Sequence, residues 1–232
     1  MSRNVAIITA RGGSKRISGK NIKDFLGKPI IAYSITAALE AGCFDEVMVS
    51  TDSHEIASIA QSFGANIPFL RSAATSDDMS TTADVLMEVL TDYKHRGVEY
   101  KYACCIYPTA PFITAQKLHN GYELLIDTGA DSVLPVVQFS YPIQRALQIE
   151  NNRMSMIWPE NINTRSQDLM PAYHDSGQFY WLNVARFLET RQIFADNSVP
   201  IKLPESEVQD IDTEDDWKIA EMKFQIMQQH LL

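Results

Sequence analysis

Two short stretches carry residues whose types and spacing could do chemistry. The first is TARGGSKRISGKN, from Thr9 to Asn21. Glycines there let backbone approach an oxyanion closely, and Arg11, Lys15, Arg16 and Lys20 supply positive charge. A nucleoside triphosphate carries about four negative charges and needs such a cradle, usually with a divalent cation. The stretch is not a P-loop, because five residues rather than four separate Gly13 from Gly19, and Gly19-Lys20 is followed by Asn21 rather than Ser or Thr. The dinucleotide pattern Gly-x-Gly-x-x-Gly is absent as well. The second stretch is VQDIDTEDDW. Asp210 and Asp212 are two apart, so on an extended segment both carboxylates face the same way. Magnesium prefers hard oxygens from one or two such carboxylates, completed by phosphate and water. Asp215 and Asp216 are expected in the first turn of the helix that follows, where acids suit the helix dipole.

The elements around these stretches alternate. Val5–Thr9 reads as a buried strand. Pro29 opens a helix with Ile31, Ile35, Ala38 and Leu39 on one face and Gly42 as its stop. Glu46–Ser50 is a strand, and Ser53 caps a helix ending at Gly64. Ile67–Leu70 reads as a third strand. Thr81 or Thr82 starts a helix with Val85, Leu86, Val89 and Leu90 inward. Tyr102–Tyr107 is an unbroken apolar strand, as in a sheet covered on both faces. Ala115–Asp127 is helical, and Ser132–Val137 is a strand. Between about 138 and 168 the alternation gives way to Asn, Gln, Met, Pro and Trp, which reads as an inserted subdomain of short strands. Apolar runs return at Gln178–Asn183 and Val199–Leu203, and an amphipathic helix spans about Glu214 to Gln229. The pattern predicts an α/β fold, a Rossmann-like, mostly parallel sheet flanked by helices in one domain over residues 1–232. In such sheets ligands sit outside the carboxyl ends of the strands. The segments to inspect are therefore Ala10–Lys28, Thr51–Asp52, Arg71–Ser80, Pro108–Pro111 and Gln138–Tyr141.

Composition bounds the partners. A net charge of −9 over 232 residues argues against a nucleic-acid surface. Six bases against one acid crowd residues 11–28, while residues 205–216 hold seven acids and no base. A locally basic loop on an acidic protein suits a small anionic ligand. No run of 18 apolar residues predicts a membrane span, and the N-terminal residues do not read as a signal peptide. Cys104 and Cys105 are expected on opposite faces of one strand, as reduced thiols of a cytoplasmic protein.

Taken in order, the motifs resemble those of the CMP-sugar synthetases that activate sialic-acid-type sugars with CTP. The family's opening motif, Arg-x-Gly-Ser-Lys-x-aliphatic-Pro-x-Lys-Asn, is matched by Arg11, Gly13, Ser14, Lys15, Lys20 and Asn21, with Ser18 where proline is usual. STDS, LRSAATSDDMSTT, YPTAPF and DIDTEDDW are similar to further family motifs and together span nearly the whole chain. The resemblance implies CTP as co-substrate, with Arg11 and Lys20 on the triphosphate and Gly13, Ser14 and Lys15 in the same cradle. It implies Asn21, Arg71 and Thr81 around cytosine and ribose, and magnesium on Asp210 and Asp212. It also makes the 138–168 insertion the dimerisation subdomain of a homodimer.

The nucleotide half matches this family better than the sugar half does. Tyr107 stands where sialic acid enzymes have a sugar-contacting Gln, and YHDSGQFYW departs from their Phe-Arg-Pro-Asn-Gly-Ala-Ile-Tyr. These departures are most similar to the branch acting on pseudaminic acid, a nine-carbon 2-keto sugar acid less polar than neuraminate. The sugar contacts expected on that basis are Tyr107, Gln178, Tyr141 and His174. Phe139, Phe179 and Trp181 either join an aromatic lining or belong to the core. His174 and Asp175 are chain neighbours, which rarely face each other, so an acid–base pair is not expected of them. Other sugar acids (neuraminate, legionaminate, the eight-carbon Kdo) and a catalytically silent nucleotide-binding subunit stay open as alternatives.

Overall fold

The computed structural model describes residues 3–229. In chain order the strands are β1 (Asn4–Thr9), β2 (Asp24–Phe25), β3 (Lys28–Pro29), β4 (Glu46–Ser50), β5 (Tyr102–Ile106), β6 (Ser132–Gln138), β7 (Leu147–Glu150), β8 (Arg153–Met156), β9 (Tyr173–Asp175), β10 (Phe179–Asn183) and β11 (Ser198–Leu203). The helices are α1 (Ile30–Glu40), α2 (His54–Ser62), α3 (Thr82–His95), α4 (Ala115–Thr128), α5 (Val184–Thr190) and α6 (Glu214–Gln229).

The main sheet has the order β11-β6-β10-β5-β1-β4, with β9 added beside β6. β1 is parallel to β4 and β5, and β11 is parallel to β6. β10 runs antiparallel between β5 and β6. Alternation along each strand feeds two cores. Ala6 and Ile8 of β1 face a core with Ile31 and Ile35 of α1 and Leu118 of α4. Val5 and Ile7 face the other, with Leu86 and Val89 of α3 and Phe187 of α5. Cys104 and Cys105 divide between these cores as expected, and both are free thiols. Among the described residues no helix is long and apolar enough to cross a membrane.

A third core fixes the chemistry-bearing segments. Ile17 of the opening loop, Phe25, Ile211, and Trp217 and Phe224 of α6 pack together. Phe25 meets Trp217 and Phe224 edge-on at 5.6 Å each. This brings the start of the chain against residues nearly 200 positions later.

The structure corrects two expectations. Ile67–Leu70 is not a strand: pairing stops at an isolated bridge between Met48 and Asn66. Pro68 has no N–H to continue that ladder. The insertion is longer than 138–168, because Phe139 N bonds Ala172 O at 3.0 Å and the chain returns to the sheet only at β9. Its centre is the β7–β8 hairpin, turned by Asn151 and Asn152 in the left-handed region.

Gly121 of α4 has no room for a side chain. A Cβ there would meet Trp181 Cδ1 at 2.8 Å. Trp181 is stacked on Phe44 at 4.9 Å and donates to Leu118 O at 2.9 Å, so it cannot swing aside. Gly121→Val is expected to cost about 2 kcal/mol or more, seen as a melting temperature lower by several degrees. An unchanged melting temperature would contradict the packing described.

Candidate active site

The carboxyl ends of β1 and β5 border one cleft of about 620 Å³. Its lining includes Arg11, Ser14, Lys15, Lys20, Asn21, Arg71, Thr81 and Tyr107. Three distant segments supply them, as expected for a ligand site beyond parallel strand ends.

The opening loop leaves β1 at Ala10, whose N–H bonds Ser50 O at 2.9 Å. Gly12 N donates to Asp52 Oδ1 at 2.8 Å, and a Cβ on Gly12 would lie 3.2 Å from Ser53 Cβ. Gly13 has open space beside it, which leaves its backbone approachable. Gly19, at φ 60°, starts the single turn Lys20–Ile22 in a conformation that favours glycine. That turn buries Asn21, whose Nδ2 donates to Arg11 O at 2.9 Å.

Lys20 joins the two motifs. Its Nζ donates to Ile211 O at 2.6 Å and lies 3.6 Å from Asp212 Oδ1. Arg16 pairs with the same Asp212 oxygen at 2.8 Å. Lys23 grips Glu214 at 2.6 Å and stacks over Trp217 at 4.7 Å, fixing the start of α6. Asp216 closes a capping box with Thr213, accepting from its N–H at 2.8 Å, and also accepts from Asp212 N at 3.2 Å. The bonds to Thr213 hold its carboxyl below the usual range. Asp216 therefore shapes the turn, as its first-turn position suggested. Partial burial, and then the neighbouring Asp212 charge, raise the Asp210 carboxyl above its ordinary value. A divalent cation held by oxygen ligands would relieve that repulsion, so the pair fits magnesium. Among the described residues no group of three or more His, Cys, Asp or Glu converges to hold a metal; phosphate and water oxygens would have to complete the shell.

Arg71 is buried, donating to Ser50 Oγ at 3.0 Å and to Ser50 O. Burial lowers its pKa from the ordinary value. Thr81 caps α3, accepting from Asp84 N at 3.2 Å while Asp84 accepts from Thr81 N at 3.0 Å. That settles the Thr81-or-Thr82 choice in favour of Thr81 as cap.

Sequence reasoning did not single out the facing acid. Asp78 pairs with both Arg11, at 2.7 Å, and Lys15, which together hold its carboxyl below the usual range. A carboxylate thus occupies the cations that a triphosphate would need. Its loop is tied down by Glu88, which accepts from Ser72 N at 2.7 Å and from Ser72 Oγ at 2.8 Å. Asp78→Asn is expected to lower KM for the nucleotide about threefold, the range of exposed ion pairs. A raised KM in steady-state assays would contradict this competition.

The expected sugar contacts divide. Tyr107 lines the cleft. Gln178 does not: it is 2% exposed and its Nε2 donates to Glu207 O at 2.7 Å. His174 is exposed, with Nδ1 2.8 Å from Asp175 O and its ring 4.9 Å from Phe139. Tyr141 is 84% exposed and lies beside Arg145 and Leu147 on the inserted arm. Phe179 and Trp181 are core residues.

The sequence model of a family described as cytidylyltransferase matches residues 5–229. The chain belongs to that family. The cytidylyltransferase is 41% identical to a pseudaminic acid cytidylyltransferase of Campylobacter jejuni over 97% of each chain. It is 32% identical to a CMP-N,N'-diacetyllegionaminic acid synthase of Legionella pneumophila, over 99% of this chain and all of that one. Its fold is similar to a solved CMP:2-keto-3-deoxy-manno-octonic acid synthetase complexed with CTP, with a TM-score of 0.68, 19% identity, and 98% and 100% of the two chains covered.

Proposed function

We propose that this cytidylyltransferase transfers CMP from CTP to the anomeric hydroxyl of pseudaminic acid, releasing pyrophosphate. The observation that carries the reading is Lys20, which lines the cleft and ties the basic loop to the Asp210–Asp212 segment. The relative at 41% identity supports the choice of sugar.

In this mechanism the protein positions reactants and neutralises charge. Arg11, Lys15 and Lys20 take the triphosphate, and Ser14 with the Gly13 backbone cradles it. Asn21, Arg71 and Thr81 frame the base and ribose; Arg71 has guanidinium donors beyond the two that Ser50 engages. The sugar hydroxyl attacks the α-phosphorus in line, and pyrophosphate departs. Asp210 and Asp212 would hold a magnesium ion, which when bound neutralises phosphate charge and lowers the pKa of a coordinated hydroxyl. Arg16, now on Asp212, is placed to release that carboxylate and meet phosphate instead. A pyrophosphate-release assay with CTP and a panel of sugar acids tests the reading; release with neuraminate, legionaminate or Kdo but none with pseudaminic acid would overturn it.

A homodimer and a cytoplasmic location belong to the same proposal. The arm exposes Leu147, Ile149, Met154, Ile157, Ile162 and Met170, more apolar surface than a small hairpin ordinarily leaves in water. Light scattering at micromolar concentration should give twice the chain mass. A fully active monomer would refute the dimer. The free thiols of Cys43, Cys104 and Cys105 suit a reducing compartment.

A further inference from the structure

Tyr107 is not an isolated phenol at the cleft wall. Its hydroxyl lies 3.0 Å from Thr82 Oγ1, at the start of α3. Its ring meets that of Tyr180 edge-on, with centroids 5.5 Å apart and planes at 67°. Tyr180 is buried and donates its hydroxyl to Asp175 Oδ2. The other carboxylate oxygen, Oδ1, accepts from Gly177 N at 3.1 Å. Tyr107 and Thr82 line the cleft, whereas Tyr180 and Asp175 stand behind them. The antiparallel run of β10 makes this possible, because it brings the start of that strand beside the end of β5: Tyr107 N bonds Gln178 O at 2.9 Å.

A buried hydroxyl anchored on a carboxylate is held more firmly than one on a neutral acceptor. Tyr180 has one O–H, and with that proton on Asp175 its ring has a single favoured setting. The ring of Tyr107, packed on its edge, inherits that setting. We infer that Asp175 is a positioning residue for the sugar acid, acting through Tyr180 to fix Tyr107 at the cleft wall and so to set which substituents the wall accepts. The inference rests on the proposal that the Tyr107 end of the cleft takes the sugar.

Asp175 also closes the turn into β10 through Gly177, and a role confined to that turn would disturb both substrates alike. Tyr180→Phe separates the two, because it removes the hydroxyl and leaves the Asp175–Gly177 bond in place. KM for pseudaminic acid is expected to rise about tenfold in Tyr180→Phe, the scale of one lost charge-assisted hydrogen bond. KM for CTP should stay within about twofold, the pattern of a defect confined to the sugar end. Asp175→Asn keeps an acceptor for Gly177 but loses the charge that anchors the Tyr180 hydroxyl, so a smaller rise, about threefold, is expected there. In a Tyr107→Phe background, Tyr180→Phe should add little further, as coupled neighbours do. An unchanged sugar KM in Tyr180→Phe, equal rises in both KM values, or fully multiplicative effects in the double variant would overturn the positioning role. The wild-type assay distinguishes this failure from a deeper one: a wild type that turns over no pseudaminic acid defeats the functional proposal and the inference with it. A wild type active on pseudaminic acid, with variants that match it, defeats only the inference.

Discussion

Asp212→Asn is expected to lower kcat/KM at least a hundredfold while the melting temperature holds. A charge-assisted contact made at the developing phosphate charge is worth ~3 kcal/mol, about a hundredfold in rate. The fold should tolerate the change, because Asp212 is about one-third exposed and its ionic partners are Arg16 and Lys20 rather than core groups. Asp215→Asn is the control. Asp215 is 87% exposed and, among the described residues, pairs only with Lys218, at 3.2 Å, on the surface of α6. Steady-state kinetics and thermal melts on the two variants decide it. Equal losses, or none in either, would remove Asp212 from the reaction.

Sugar selection should be comparably large. With saturating CTP, kcat/KM for pseudaminic acid is expected to exceed that for neuraminate about a thousandfold. Neuraminate carries a polar glycerol tail, and a Gln amide at position 107 would supply both a donor and an acceptor. Tyr107 offers one hydroxyl, already within 3.0 Å of Thr82, on a ring whose neighbours along the cleft include Val85 and Pro108. Each substrate group left unpaired costs ~1–3 kcal/mol, and two such losses reach about a thousandfold. A neuraminate value equal to or above that for pseudaminic acid would overturn the sugar assignment without touching cytidylyl transfer.

Much of this was legible in the sequence, for reasons that differ by element. Helix ends were readable because capping is local: Ser53 accepts from Ile56 N at 3.4 Å, as its position predicted, and Thr81, one of the two threonines the sequence offered, accepts from Asp84 N at 3.2 Å. The apolar run at Tyr102–Tyr107 was readable because a sheet covered on both faces leaves no polar positions. Strand direction is not written in such a pattern. β10 therefore read as one more strand, and its antiparallel course, which places Tyr180 behind Tyr107, was hidden. Ile67–Leu70 had strand composition, but Pro68 outweighed it. α5 is seven residues long, too short for a periodic signal. At the candidate site, residue types revealed the basic loop that lines the cleft and the paired acids that Lys20 reaches. Their meeting through Lys20 and Ile211 O is a tertiary fact, 191 positions apart in sequence. Asp78 escaped because a lone acid in a polar loop has no signature until Arg11 and Lys15 are seen against it. Gln178 misled for the converse reason: a polar residue beside a site motif can be turned to a backbone carbonyl, here Glu207 O.

Phosphorus NMR of one reaction mixture tests cytidylyl transfer to this sugar most directly. With purified enzyme, magnesium, CTP and pseudaminic acid, the CTP resonances should give way to pyrophosphate and a CMP-sugar phosphodiester in equal amounts. ATP in place of CTP, or omission of the sugar, should leave the nucleotide intact. Nucleotide loss that is independent of the sugar acid, or CTP that persists unchanged beside it, would contradict the account.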